Sequence, residues 1–221
     1  MNQFDQQTVS ANGTVIAESK NKVLRNTYWL LSLTLFFSAA MAVVAMETGI
    51  QTGILGFIVT IGLLFAIQWK RNSALALPLT FAFTGLMGMS LGPVLTQYLS
   101  VEGGTQIVGN AMFVTATVFL SLSAYAVISK KDFSFLGGFL FTGLIIGLVA
   151  SIALMFFDIP GGHLALSVMM ALVASGLILF DTSRIVNGGE TNYVSATVSL
   201  FLDIYLLFSY LLMFLGMSSD D

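Results

Sequence analysis

The chain has 221 residues, of which 57% are apolar and only 9% charged, with a formal net charge of −3 and a mean hydropathy of +0.93. Soluble domains carry about 25% charged residues, so a water-soluble globular fold is excluded, and no basic stripe points to a nucleic-acid partner. There are no cysteines, which excludes disulfides, thiolate metal sites and a cysteine nucleophile.

Residues 1–24 are polar and rich in Gln, Asn, Thr and Ser. They lack the apolar core and small-residue cleavage pattern of a signal peptide and read as a short, disordered cytoplasmic tail. Residues 25–221 read as one transmembrane domain of seven helices, with spans at about 28–46, 49–69, 74–99, 106–128, 133–157, 163–184 and 193–217. Apolar runs of about 20 residues match a hydrocarbon layer about 30 Å thick, and the alternating pattern of a membrane barrel is absent. The expected fold is an all-α membrane protein.

The third span contains Pro78 and Pro93 and is expected to kink or tilt, which neighbouring helices can accommodate. Gly88 with Gly92, and Gly143 with Gly147, form small-xxx-small faces suited to close helix packing; the plainer alternative is that they are membrane glycines without a contact role. No internal similarity marks inverted halves of the kind found in transporters. The C-terminal span is expected to lie centrally, with the other six around it.

Threading seven spans places every basic residue, Lys20, Lys22, Arg25, Lys70, Arg71, Lys130, Lys131 and Arg184, on the side of the N-terminus. The positive-inside rule makes that side cytoplasmic and puts Glu47, Glu102, Asp158, His163, Asp220 and Asp221 outside. Tyr28, Trp29, Trp69 and Tyr193 flank the cytoplasmic boundary, and Tyr98 the other, as an aromatic belt does.

The chemistry gathers in the C-terminal hairpin, where two apolar helical runs carry one aspartate each, Asp181 and Asp203. Both stand equally far in sequence from Asn192, so an antiparallel hairpin brings them face to face at similar depth. Each carboxylate costs about 2.5 to 3.5 kcal/mol at a helix centre. One shared proton is the cheapest solution, and such a pair titrates as a unit; losing that proton favours cation entry or outward movement of one helix. The alternative is a wet Asp181 near Arg184 and a lone, buried Asp203 bonded to Ser or Thr.

Other features carry less. Phe180-Asp181-Thr182-Ser183 is superficially like an aspartic protease motif, but Ser199-Leu200-Phe201-Leu202 stands before Asp203 where intramembrane aspartyl proteases have Gly-x-Gly-Asp. His163 reads as an interfacial residue or helix start. Glu47, Glu102 and Asp158 read as solvated loop charges that could draw cations to an outer mouth. The methionines read as packing or lipid-facing residues, and Lys130-Lys131-Asp132 as a solvated turn. No metal site and no cofactor are indicated, and the chain reads as a non-enzyme.

Five runs bear a family resemblance through their order and spacing: Lys22-Val23-Leu24-Arg25-Asn26-Thr27-Tyr28, Thr80-Phe81-Ala82-Phe83-Thr84-Gly85, Leu91-Gly92-Pro93, Lys131-Asp132-Phe133-Ser134-Phe135-Leu136-Gly137-Gly138 and Gly188-Gly189-Glu190-Thr191-Asn192-Tyr193. From about Lys22 to its end the chain resembles the Bax inhibitor-1 family, and within it the bacterial YccA-like group. The resemblance implies seven helices around a central C-terminal one and, in some members, a pH-sensing aspartate pair controlling calcium leak; Asp181 and Asp203 match that pair. It also implies, for YccA-like members, modulation of the membrane protease FtsH. The arginine that latches onto the pair in calcium-leak members is replaced by Gln68, with Lys70 and Arg71 just beyond, and Arg184 is the remaining basic partner near the pair. The leading expectation is a pH-sensitive cation leak pathway in the bacterial inner membrane, with calcium as the transported ion. The second is regulation of FtsH by direct binding.

Overall fold

The computed structural model describes residues 3–218, with side chains described from residue 20 onward. Asp220 and Asp221, which enter the expected charge asymmetry, lie outside the described residues. Seven α-helices follow one another: α1 (Gln3–Thr48), α2 (Gly53–Lys70), α3 (Ala76–Leu99), α4 (Gly104–Ser129), α5 (Gly137–Phe156), α6 (Gly162–Asn187) and α7 (Tyr193–Ser218), with one 3-10 turn at Ser134–Leu136 before α5. All seven are long and apolar enough to cross a membrane. Large apolar side chains point outward throughout, Phe36, Ile54, Phe65, Ile128, Phe139 and Met155 among them, which in water would be an aggregation surface and in lipid is the expected exterior.

Buried hydroxyls satisfy themselves on their own helices. Thr27, Thr34, Thr80 and Thr115 donate to carbonyls of Val23, Leu31, Ala76 and Ala111, one turn back, so these hydroxyls are not stranded where water is absent. Pro78 falls in the first turn of α3, where a missing N–H costs nothing, and Pro93 sits inside the helix.

Helix α3 lies against α1 at close range. A Cβ on Gly88 would run into the Ser38 carbonyl and one on Gly92 would stand 2.5 Å from the Ala45 Cβ, so the first small-residue face is a true contact. The second is too: a Cβ on Gly143 would meet Val173, and one on Gly147 would meet Met170, both on α6.

Helix α7 packs against α1, α3, α4 and α6, whereas α2 rests on α3 and α5 on α6. The seventh helix is therefore flanked by four helices rather than ringed by six. The outer helices bury little: Ile67 is the only buried residue of α2, and α5 buries Leu140 and Gly147. The main core joins Leu31, Phe83, Leu200 and Phe201, with Phe83 and Phe201 edge to face.

Two expectations are corrected near the N-terminus. Residues 3–24, assigned to the disordered tail, belong to α1: at its inner end Val23 and Leu24 pack on the main core and the Lys20 ammonium bonds to Asn187. Once a helix is nucleated, each further residue extends it cheaply, and these two apolar side chains have a surface to cover. Tyr28 does not join an interfacial belt; its ring packs 6.1 Å from that of Phe119 and its hydroxyl is buried. Trp29 and Trp69, by contrast, are 67% and 85% exposed.

Candidate functional site

One end of the bundle is knitted together by side chains reaching between loops. Asn192 ends the α6–α7 turn: its carboxamide oxygen accepts the backbone N–H groups of Val194 and Ser195, both at 3.0 Å, and so caps α7. Its Nδ2 donates to the Arg71 carbonyl and to Asn72 Oδ1, each at 2.9 Å, fastening the α2–α3 loop. Ser183 Oγ donates to the Lys131 carbonyl and accepts from the Phe133 N–H, both at 3.0 Å, and Asn187 Nδ2 donates to the same Lys131 carbonyl at 3.1 Å. In the α4–α5 loop itself, hydrogen bonds donated by the Ser134 hydroxyl and N–H hold the Asp132 carboxyl below the usual carboxylate range.

Gly188 closes α6 in a left-handed conformation, φ 82°, its N–H returning to the Ile185 carbonyl, as glycine does at a helix C-terminus. All eight basic residues lie toward this end: Lys20, Lys22 and Arg25 on α1, Lys70 and Arg184 in the last turns of α2 and α6, and Arg71, Lys130 and Lys131 in the loops. Glu47, Glu102 and Asp158 lie toward the opposite end.

The aspartate pair sits inward of this basic end. Asp181 is six residues from the end of α6 and Asp203 ten residues into α7, depths of about 9 and 15 Å at about 1.5 Å per residue. Asp181 and Asp203 lie on the two packed helices of the hairpin, with their carboxyl groups near enough to interact electrostatically. Asp203 is 5% exposed, and its Oδ2 is buried without a hydrogen-bond partner among the described residues.

Of the four residues considered as a latch, one reaches the pair. Arg184 Nη1 stands 3.4 Å from Asp181 Oδ1, one helical turn along, and its guanidinium lies 5.5 Å from the Phe180 ring centroid. Its side chain is 37% exposed, so the ion pair is screened and worth little by itself. Gln68 instead accepts a hydrogen bond from Ser195 Oγ at 3.3 Å, two turns before Asp203. Lys70 lies over the Trp69 ring, and Arg71 offers its carbonyl to Asn192. Of the alternative, Asp181 does have Arg184 beside it, but its side chain is only 13% exposed, and Asp203 Oδ2 has no Ser or Thr partner among the described residues. Among the described residues, no group of three metal-binding side chains gathers at the pair or elsewhere.

The sequence reading missed Ser183, Asn187 and Lys20 as site-forming residues. The Asn-Gly pair at 187–188 signalled only a turn, and nothing local announces that Asn187 accepts a bond from Lys20 and donates one to the Lys131 carbonyl.

With this geometry in hand, similarity decides the family. The family model for inhibitors of apoptosis-promoting Bax1 matches residues 20–220. The chain belongs to the Bax inhibitor-1 family. It is 50% identical over 204 residues to a membrane protein of Vibrio cholerae, covering 91% of this chain and 92% of that one. It is 45% identical over 207 residues, 92% of this chain and 93% of the other, to the Escherichia coli protein named modulator of FtsH protease YccA. The same extent and identity relate it to a protein from a second Escherichia coli strain named inner membrane protein YccA. The chain is a bacterial, YccA-like member of the Bax inhibitor-1 family.

Proposed function

We propose that this chain is a non-enzymatic, multi-pass inner-membrane regulator of the FtsH protease, inserted with its N-terminus and basic end in the cytoplasm. The observation that carries this reading is 45% identity, along nearly the whole of both chains, with the relative named modulator of FtsH protease. The orientation rests on the gathering of Lys20, Arg71, Lys131 and Arg184 with the other basic residues at one end of the bundle, where the positive-inside rule places the cytoplasm. That end also offers the polar loops on which a partner would dock. The test is reconstitution with purified FtsH: cleavage of a membrane substrate is expected to change in rate when this chain shares the bilayer, and an unchanged rate at saturating chain rejects the reading.

A second reading is favoured by two carboxyls, Asp181 and Asp203, on the packed helices of one membrane hairpin: a cation pathway, with calcium as cargo, switched by a proton shared between them. Two carboxylates fall short of the six to eight oxygens calcium takes, which suits passage better than storage, with backbone and water oxygens completing the shell. Calcium flux into liposomes containing only the pure chain, measured across pH, separates the two readings, because a partner-dependent regulator conducts nothing. The order of the two is the reverse of the one expected from the sequence and its family resemblance.

A further inference from the structure

Two lateral clefts flank α7 in the half of the bundle away from the basic end. A single hydroxyl contact divides them, Ser90 Oγ on α3 to Tyr205 Oη on α7 at 3.1 Å. The larger, about 490 Å³, opens between α1 and α4. These two helices meet through Tyr28 and Phe119 and part beyond them. Ala39 and Ala42 form one wall of the gap, Met112 and Ala116 the other, and Phe201 and Phe208 of α7 the floor. Ala39 and Ala116 are exposed at its mouth, and none of the lining residues is charged.

We propose that this cleft binds one acyl chain of a bilayer phospholipid, in the leaflet opposite the basic end. The cleft lies within four membrane-spanning helices, so its mouth faces hydrocarbon, and a volume of this size is in the usual range of small-molecule sites. A partner helix does not fit. At about 10 Å across and 5.4 Å per turn, one helical turn fills roughly 420 Å³, so the cleft would take a single turn of a helix that needs several to cross the membrane. A free fatty acid drawn in head-first would leave its carboxylate without a cation in an apolar wall, which is strongly unfavourable. A phospholipid keeps its headgroup at the membrane surface and inserts only its tail. The tail would lie along Phe201 and Ile204, on either side of Asp203 in the sequence of α7, and so brace the helix that holds the buried carboxyl. This site depends on neither reading of the function.

The test is photolabelling of the full chain in nanodiscs of phosphatidylethanolamine and phosphatidylglycerol, with a trace of phosphatidylethanolamine bearing a diazirine in its tail. Adducts mapped by mass spectrometry are expected to concentrate several-fold on Ala39, Ala116 and Phe208 over the outward-facing Phe139, Phe141 and Leu148 of α5. Ala116→Trp, which fills the mouth, should abolish that excess and leave α5 labelling unchanged; Ala39→Phe, from the opposite wall, should do the same if the first variant fails to fold. Uniform labelling, or an excess that survives both fillings, overturns the proposal. Equal enrichment with a diazirine-bearing free fatty acid overturns the phospholipid assignment, and disulfide cross-linking of two chains through Ala39→Cys would give the cleft to a second copy instead.

Discussion

The Lys20 ammonium donates to the Asn187 carbonyl at 2.9 Å across 167 positions of sequence, closing the start of the first membrane helix onto the end of the sixth. The contact places a cation at a helix C-terminus, where the unpaired carbonyls carry partial negative charge. Gly188 is the residue that leaves room for it: a Cβ there would stand 2.6 Å from Lys20 Cε. The same asparagine binds the α4–α5 loop through its side chain. One turn of α6 thus ties the N-terminal segment to the helix that carries Asp181.

Deleting residues 1–19 is accordingly expected to leave thermal stability in detergent unchanged, while Lys20→Ala in the full chain lowers stability by about 0.3 to 1 kcal/mol, the usual worth of a charge at a helix end. The comparison is read from thermal unfolding midpoints at low and high salt, since screening should shrink the lysine effect. If the deletion costs as much as the point substitution, the anchor lies elsewhere. Recovery of FtsH by pull-down with the 1–19 deletion then tests the segment as a partner contact without also breaking this fold contact.

Asn192 has two duties, capping α7 and holding the α2–α3 loop. Asn192→Ala removes both and should cost more than the loss of an N-cap, about 0.5 to 2 kcal/mol. Asn192→Asp keeps the acceptor that caps the helix but turns the donor toward Asn72 and Arg71 into an acceptor, so it should recover part of the loss. Full recovery would mean the loop contacts are idle.

Much of this site was legible in advance, and what was not follows a pattern. The seven spans emerge because length and hydropathy alone decide what crosses a bilayer, and the two aspartates because a carboxyl in an apolar run is costly enough to need a reason. Gly88, Gly92, Gly143 and Gly147 announced their contacts through spacing. Long-range pairings left no such mark: Ser183 with Lys131 and Phe133, Lys20 with Asn187, and Ser90 with Tyr205 join segments whose meeting depends on how helices are arranged around α7. Gln68 shows the limit most clearly. Aligned with a latch by family resemblance, it bonds Ser195 instead, because its position on α2 faces the start of α7 and not the acid pair.

The one-ended basic charge makes topology testable. Fusions after Lys131 and after Asp221 should report opposite sides of the membrane, with a cytoplasm-only reporter active at the first and a periplasm-only reporter active at the second. Equal behaviour at the two points would break the alternation of seven spans.

Asp181 and Asp203 provide the sharpest test, because a proton shared between them would predict more than importance. Replacing either with Asn leaves an amide that hydrogen-bonds to the remaining carboxyl but releases no proton in the working range, so the first substitution should remove the switch and the second find little left to remove. Groups in contact couple by about 0.5 to 3 kcal/mol, which at about 1.36 kcal/mol per unit moves an apparent titration midpoint by roughly 0.4 to 2 units. Arg184→Gln, by contrast, removes a half-exposed partner at 3.4 Å and should change stability by no more than about 1 kcal/mol. The measurements are unfolding midpoints across pH for both single variants, the double variant and Arg184→Gln, with calcium flux recorded alongside. A double variant equal to the sum of its singles would mean that the two carboxyls are independent buried acids. A wild-type pH profile in either single variant would mean that no shared proton sets the response, whichever reading of the function holds.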